Sequence, residues 1–296
     1  TITTKANVDA IEVDQNVTFT LTNCKGTGKI THQYKDQDRV YTAKGCGAYV
    51  NGGTFHLYGG TFSRNIGHII GKNTNGGGVY VGGGTFTMNY SASVKDNTAS
   101  DNTADQGNGG GVYVYNSGEF NMYGGSITGN TVGGSGGGVC ATNSSTFNMY
   151  GGSITGNSAS QGGGVFVSTQ HFTVSGNAKI TDNTNNGASE KNNVYLNYSG
   201  TSIQIGTEGL QSGAKIGVTT YATPSNSAPV TIVSSDAKAG YEEYFTSDKE
   251  GCYPVYQGGK IVLYAGAPHK HPICGETCAD GEHTQNITWT PIETEG

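Results

Sequence analysis

The chain has 296 residues, of which only 33% are hydrophobic and 50 are Gly, a composition that makes a poor core for a compact sphere. Charged residues account for 13% and the formal net charge is −6, so no basic stripe offers itself to nucleic acid or to anionic lipid. No apolar run approaches the roughly 20 residues that a membrane-spanning helix needs, and six Cys are too few for a disulfide scaffold in a chain of this length.

In chain order, the first regular features are three short alternating segments, Ile11-Glu12-Val13, Phe19-Thr20-Leu21 and Lys29-Ile30-Thr31. Period-two alternation predicts strands. A Gly-rich signature follows, Gly45-Cys46-Gly47-Ala48-Tyr49-Val50. It returns at residues 76–81, 109–114, 136–141 and 162–167, with starts 31, 33, 27 and 26 residues apart, and in degenerate form at 192–196. Self-similarity at this period predicts a solenoid.

Residues 109–130 show what one repeat contains. Val112-Tyr113-Val114, Phe120-Asn121-Met122 and Ser126-Ile127-Thr128 each alternate, and glycines break the run between them. Three strands this close cannot pair with one another, but each can pair with its own copy one repeat later. Aligned positions support that stacking. One ladder is Phe55, Phe86, Phe120, Phe147 and Phe172. A second is Leu57, Met88, Met122, Met149 and Val174. A third is Phe62, Val94, Ile127, Ile154 and Ile180. An Asn follows three residues after each member of the third, at Asn65, Asn97, Asn130, Asn157 and Asn183. Insertions collect between that Asn and the next Gly run, long at 65–75 and 97–108 and short at 130–135 and 157–161.

Towards the end, 203–205 with 215–217, and then 230–233 with 260–263, carry the pattern on. Residues 234–259, with Tyr241, Tyr244, Phe245 and Tyr253, interrupt it. The expected fold is therefore all-β: a single-stranded parallel β-helix of three short strands per coil. About eight coils would give a rod about 40 Å long at ordinary strand spacing. Right-handedness is expected from the general preference of parallel crossovers. Residues 1–265 form the β-helix, with a C-terminal cap at 228–265 that covers the open edge of the last coil. Residues 266–296 are a change of composition, a linker or the start of a following His/Cys-containing module. Both ends read as cut from a longer protein.

The Gly-Gly-Gly-Val and Gly-Gly-Ser-Ile-Thr-Gly-Asn segments, with Phe62-Ser63-Arg64-Asn65, resemble the β-helix repeats of bacterial surface proteins. These include the polymorphic outer-membrane and autotransporter-type adhesins, and wall-associated β-helix proteins of Gram-positive gut bacteria. The resemblance covers roughly residues 10–265. Only one repeat has the literal Phe-x-x-Asn motif; the others place Val or Ile first. The resemblance implies display outside the cell, secreted or attached to the wall, and contact with a host or matrix glycan or protein. No translocator accompanies the repeats, so membrane insertion is not carried over, and a monomer is expected.

The middle residue of each Gly-run strand faces away from the core. These residues are Tyr49, Tyr80, Tyr113, Cys140, Phe166 and Tyr195. Exposed aromatics at regular spacing can stack sugar rings or anchor a partner, so Tyr49, Tyr80, Tyr113, Phe166 and Tyr195 are the candidate ligand-binding residues. The competing reading is that they pack on each other or under the insertions and only cover the sheet. The Asn ladder reads as structural, since Asn tolerates a left-handed turn and can bond its copy. Ser126, Thr128, Ser153, Thr155 and Thr181 form a short hydroxyl stripe that Lys95 and Lys179 interrupt, too small an array to order water at ice.

No catalytic residues, metal ligands or cofactor are assigned. Asp96 and Asp182 share a coil position but lie three coils, about 14 Å, apart, whereas paired carboxylates of glycoside hydrolases sit roughly 5–9.5 Å apart. Asp96, Asp101 and Asp105 lack the ordered spacing of a calcium loop and read as a solvated insertion. In the tail, His269, His271, Cys274 and Cys278 can hold zinc, form a Cys274–Cys278 disulfide, or begin another module with His283 and Trp289. Cys24 and Cys46 are a possible pair, while Cys140 and Cys252 read as separate thiols. The expected function is an adhesin-like binding scaffold that uses the aromatic stripe or the long insertions. The alternatives are a carbohydrate-active enzyme, lyase or hydrolase, and a structural spacer.

Overall fold

A computed structural model describes residues 2–5, 9–22, 28–33, 47–68, 75–100, 107–186 and 190–266, with the short segments 269–270 and 277–278. The fold is a parallel β-helix. The Phe ladder stacks in register, Phe19 on Phe55, then Phe86, Phe120, Phe147 and Phe172. From Phe86 to Phe172 the rings lie 5.0–5.1 Å apart and within 15° of parallel. The third ladder runs Ile30, Phe62, Val94, Ile127, Ile154, Ile180 and Ile216 in the same way. With the Leu/Met ladder and the valines of the Gly-run strands, these side chains form one continuous buried core. Parallel strands need long crossovers, and here each crossover is simply the remainder of a coil.

The Gly runs make a tight corner. Gly109 has φ 66°, a left-handed backbone that disfavours other residues. A Cβ on Gly110 would lie 2.6 Å from the Thr131 carbonyl oxygen, and one on Gly111 equally close to that of Gly138. Only backbone without side chains lets adjacent coils approach there, where Gly110 N–H donates to Gly136 O and Gly111 N–H to Gly137 O.

A fourth, shorter ladder joins the three expected ones. It consists of Ile66–His68, Thr98–Ser100, Thr131–Val132, Ser158–Ala159 and Thr184–Asn185, with Ala99, Val132 and Ala159 buried together. Rungs of two or three residues are too short to show alternation.

The Asn ladder bonds its own copies, but it does not take the left-handed turn. That conformation falls one residue earlier, at Arg64, Asp96, Gly129, Gly156 and Asp182, with φ between 54° and 67°. The Asn that follows is freed to point inward. Each side-chain amide donates to the next Asn Oδ1, from Asn65 through Asn97, Asn130, Asn157 and Asn183 to Asn193, over 2.8–3.0 Å. Each also donates to a backbone carbonyl one coil back, as Asn130 does to Val94 O. The amides therefore align head to tail, and each bond polarises the next. The line ends on a carboxylate: Asn193 donates from Nδ2 to Asp248 Oδ1 over 2.6 Å and from its backbone N–H to Asp248 Oδ2 over 2.7 Å, and the Thr219 hydroxyl adds a third bond.

Burial raises the pKa of Asp248; the bonds from Asn193 and Thr219 and the Lys191 charge oppose that, and the net direction is upward. A carboxyl whose folded pKa is raised adds stability that is fully present below its unfolded value and is lost as pH rises through the folded one. Asp248→Asn is therefore expected to flatten a decline in stability that the parent shows as pH rises above about 3.9. Urea midpoints of the two proteins across that range check it. Identical pH slopes would mean that Asp248 has the same pKa in the folded column as in the unfolded chain.

At the C-terminal end the chain departs from expectation. Val230–Val233 keeps one parallel bridge to the column, between Val233 and Ile203, but neither it nor Lys260–Ala265 continues a parallel ladder as a strand. They pair antiparallel, together with Cys252–Gln257, in a separate three-stranded sheet. The cause is local: Gly258 (φ 54°) and Gly259 (φ 85°) form a two-residue hairpin turn that only antiparallel neighbours can use. Conversely Phe245–Ser247, inside the segment that interrupts the sequence pattern, adds a parallel rung on Lys215–Thr220. The antiparallel sheet joins the column where Ile203 N–H donates to Ile232 O.

Candidate binding surface

The aromatic residues of the Gly-run strands lie outside the main core, and in register: Tyr49, Tyr80, Tyr113, Cys140, Phe166 and Tyr195. They are not an exposed stripe. Tyr80, Tyr113 and Phe166 retain only 7% exposure each and form a second buried cluster with Cys140, against which Tyr49 and Tyr195 pack half-buried. Neighbouring rings touch, Tyr49 edge-on to Tyr80 at 5.1 Å, Tyr80 tilted on Tyr113 at 5.2 Å, and Phe166 stacked on Tyr195 at 5.8 Å. The premise of free ring faces at Tyr80, Tyr113 and Phe166 is thereby corrected. Stacking at the coil spacing leaves each ring covered by the next. Burial pushes the Tyr113 hydroxyl up to about 12 and the Cys140 thiol further still, so neither ionises near neutrality. Cys140 and Cys252 are both free and buried.

Three tyrosines that do face water sit one corner further on, after the Leu/Met ladder: Tyr58 (51% exposed), Tyr90 (82%) and Tyr123 (43%), with half-buried Tyr150 stacked on Tyr123 at 4.8 Å. Their sequence signal is the repeated Leu57-Tyr58-Gly59-Gly60, Met122-Tyr123-Gly124-Gly125 and Met149-Tyr150-Gly151-Gly152. It is legible as a repeat but silent about orientation. In the Tyr90 coil, one extra residue enters between Met88 and Ser93, so the register shifts opposite Leu57–Gly59. Such a bulge re-aims a side chain, and here it turns Tyr90 outward. A Cβ on Gly124 would lie 2.6 Å from Tyr90 Cδ1, so Gly124 provides the flat backbone on which that ring rests. Beside this edge, the outer face of the Phe ladder carries linked polar groups. Asn148 donates to Asn121 Oδ1, and Asn121 to Glu119 Oε1, both over 2.9 Å.

A second concave feature lies at the junction of the last coils and the antiparallel sheet. It is a cleft of about 490 Å³ whose walls include Leu196, Tyr198, Thr201, Tyr221, Pro229 and Thr231.

The other sequence candidates resolve as follows. Ser126, Ser153 and Lys179 stack in one file, and Lys95, Thr128, Thr155 and Thr181 in the other, so lysines do bound the hydroxyl array. Asp96 and Asp182 occupy equivalent left-handed corners, and their backbones join the ladder through Asp96 N–H to Thr128 O and Gly156 N–H to Asp182 O. Among the described residues no group of three His, Cys, Asp or Glu is placed to hold a metal ion, and no helix is long and apolar enough to cross a membrane. Cys24, Cys46, Asp101, Asp105, His271, Cys274, His283 and Trp289 lie outside the described residues, as do residues 69–74 and 101–106 of the long insertions.

No protein-family model matches the chain, nor does any curated protein or solved structure. The fold defines a class: a repeat protein with a large parallel β-sheet, solenoid-like, and an exposed tyrosine edge.

Proposed function

We propose that this chain is an adhesin-like binding scaffold of a bacterial surface protein, secreted or attached to the cell wall, which recognises a host or matrix glycan or protein. The observation that carries the reading is the outward turn of Tyr90 on a bulge between Tyr58 and Tyr123. A large amphipathic ring held at 82% exposure on a rigid column is costly to leave in water, yet ready to contribute on contact with a sugar face or a protein. Burial of Tyr80, Tyr113 and Phe166 moves the proposed contact surface from those residues to the tyrosine edge. The resemblance of the repeats to those of surface adhesins supports display outside the cell, with this chain acting as a monomeric rod.

The test is capture on a glycan and host-protein array by the parent chain and by Tyr90→Ala and Tyr123→Ala. Each exposed ring is expected to weaken capture about tenfold or more on truncation, with thermal melting unchanged. Equal capture by well-folded variants would remove the tyrosine edge from the function.

A further inference from the structure

We infer that the cleft between the last parallel coils and the antiparallel sheet is a second, independent site, which takes the end of an uncharged saccharide. Its volume of about 490 Å³ lies within the range of small-ligand sites. Its walls alternate two kinds of surface. Leu196, Ala222, Ala228, Pro229 and Val230 are apolar, while Ser, Thr and Tyr hydroxyls stand among them. A pyranose has the same duality, with an apolar C–H face and a rim of hydroxyls.

Two rings provide the stacking surfaces. Tyr221 is 69% exposed and Tyr198 43%. Tyr198 is held in place because its hydroxyl donates to Ser168 O over 3.0 Å, and the Tyr221 backbone is held by its N–H to Leu196 O. An aromatic ring fixed at one edge and wet on its face is suited to a sugar. Among the described residues no carboxylate, ammonium or guanidinium lines the cleft. An acidic sugar would therefore lose hydration without a countercharge, which selects a neutral one.

The experiment titrates the whole chain with glucose, galactose, mannose and N-acetylglucosamine, their β-linked dimers, glucuronic acid and a proline-rich peptide, followed by calorimetry. One neutral sugar is expected to bind at a single site. Tyr221→Ala, an exposed position with little bearing on folding, is expected to weaken it about tenfold or more. Tyr90→Ala is expected to leave it unchanged. No neutral sugar binding, binding unaltered by Tyr221→Ala, or binding only of glucuronic acid or the peptide would each overturn the assignment. Loss in Tyr90→Ala with retention in Tyr221→Ala would overturn it while leaving the tyrosine edge intact.

Discussion

Ile127→Asp is expected to abolish cooperative folding of the central coils. Ile127 is wholly buried between Val94 and Ile154 in the third ladder. The change forfeits about 1.5–3 kcal/mol of apolar burial and adds several kcal/mol for a carboxylate taken out of water with no cation beside it. Together these approach the whole net stability of a typical domain, about 5–15 kcal/mol. Because each coil closes its core only against its neighbours, the damage should spread along the column. The measurement is the urea transition by circular dichroism, alongside Ile127→Val, which is expected to cost only about 0.5–1.5 kcal/mol. An Asp variant that melts like the parent would contradict this packing.

Asn130→Leu is expected to cost about 3–6 kcal/mol, more than its size suggests. The side chain of the wholly buried Asn130 takes part in four bonds. Its Oδ1 accepts from Asn97 N–H and Asn97 Nδ2, and its Nδ2 donates to Val94 O and Asn157 Oδ1, all over 2.9–3.0 Å. Leucine fills similar space but leaves the Asn97 N–H buried without its acceptor, a larger loss than the bonds themselves. Asn130→Asp should fare no better near neutrality, since a carboxylate would then face two acceptors, Val94 O and Asn157 Oδ1, where the amide donates. If Asp proved as stable as Asn, the donors would not run along the column as described. Midpoint shifts at constant denaturant slope distinguish true stability loss from a change in the unfolded ensemble.

The two ends of the ladder show how far local information reaches. The spacing of Asn65, Asn97, Asn130, Asn157 and Asn183 is plain in the chain, and their mutual bonding follows from stacking. Asn193 and Asp248 continue the same line, yet they come 10 and 65 residues after Asn183 and share no repeat motif with it. Only the folded column brings them beneath it. The aromatic positions divide likewise. Alternation correctly takes Tyr80 and Tyr113 out of the main core, but it cannot say whether a residue outside that core meets water or its own neighbours. Their ring contacts answer that, since 5.2 Å between centroids leaves no room for solvent.

By itself, the sequence determined the parallel stack, the register of its Phe, Met and Ile files and the amide file beside them, because each depends on a pattern that recurs once per coil. Tertiary structure alone decided which tyrosines reach water, where the amide file ends and that a cleft opens beside the antiparallel sheet. Those outcomes turn on events that occur once: an inserted residue near Tyr90, a Gly258-Gly259 hairpin that reverses strand direction, and a distant carboxylate meeting the last amide. A period carries no information about an event that happens a single time, whereas packing, which places every residue against its actual neighbours, does.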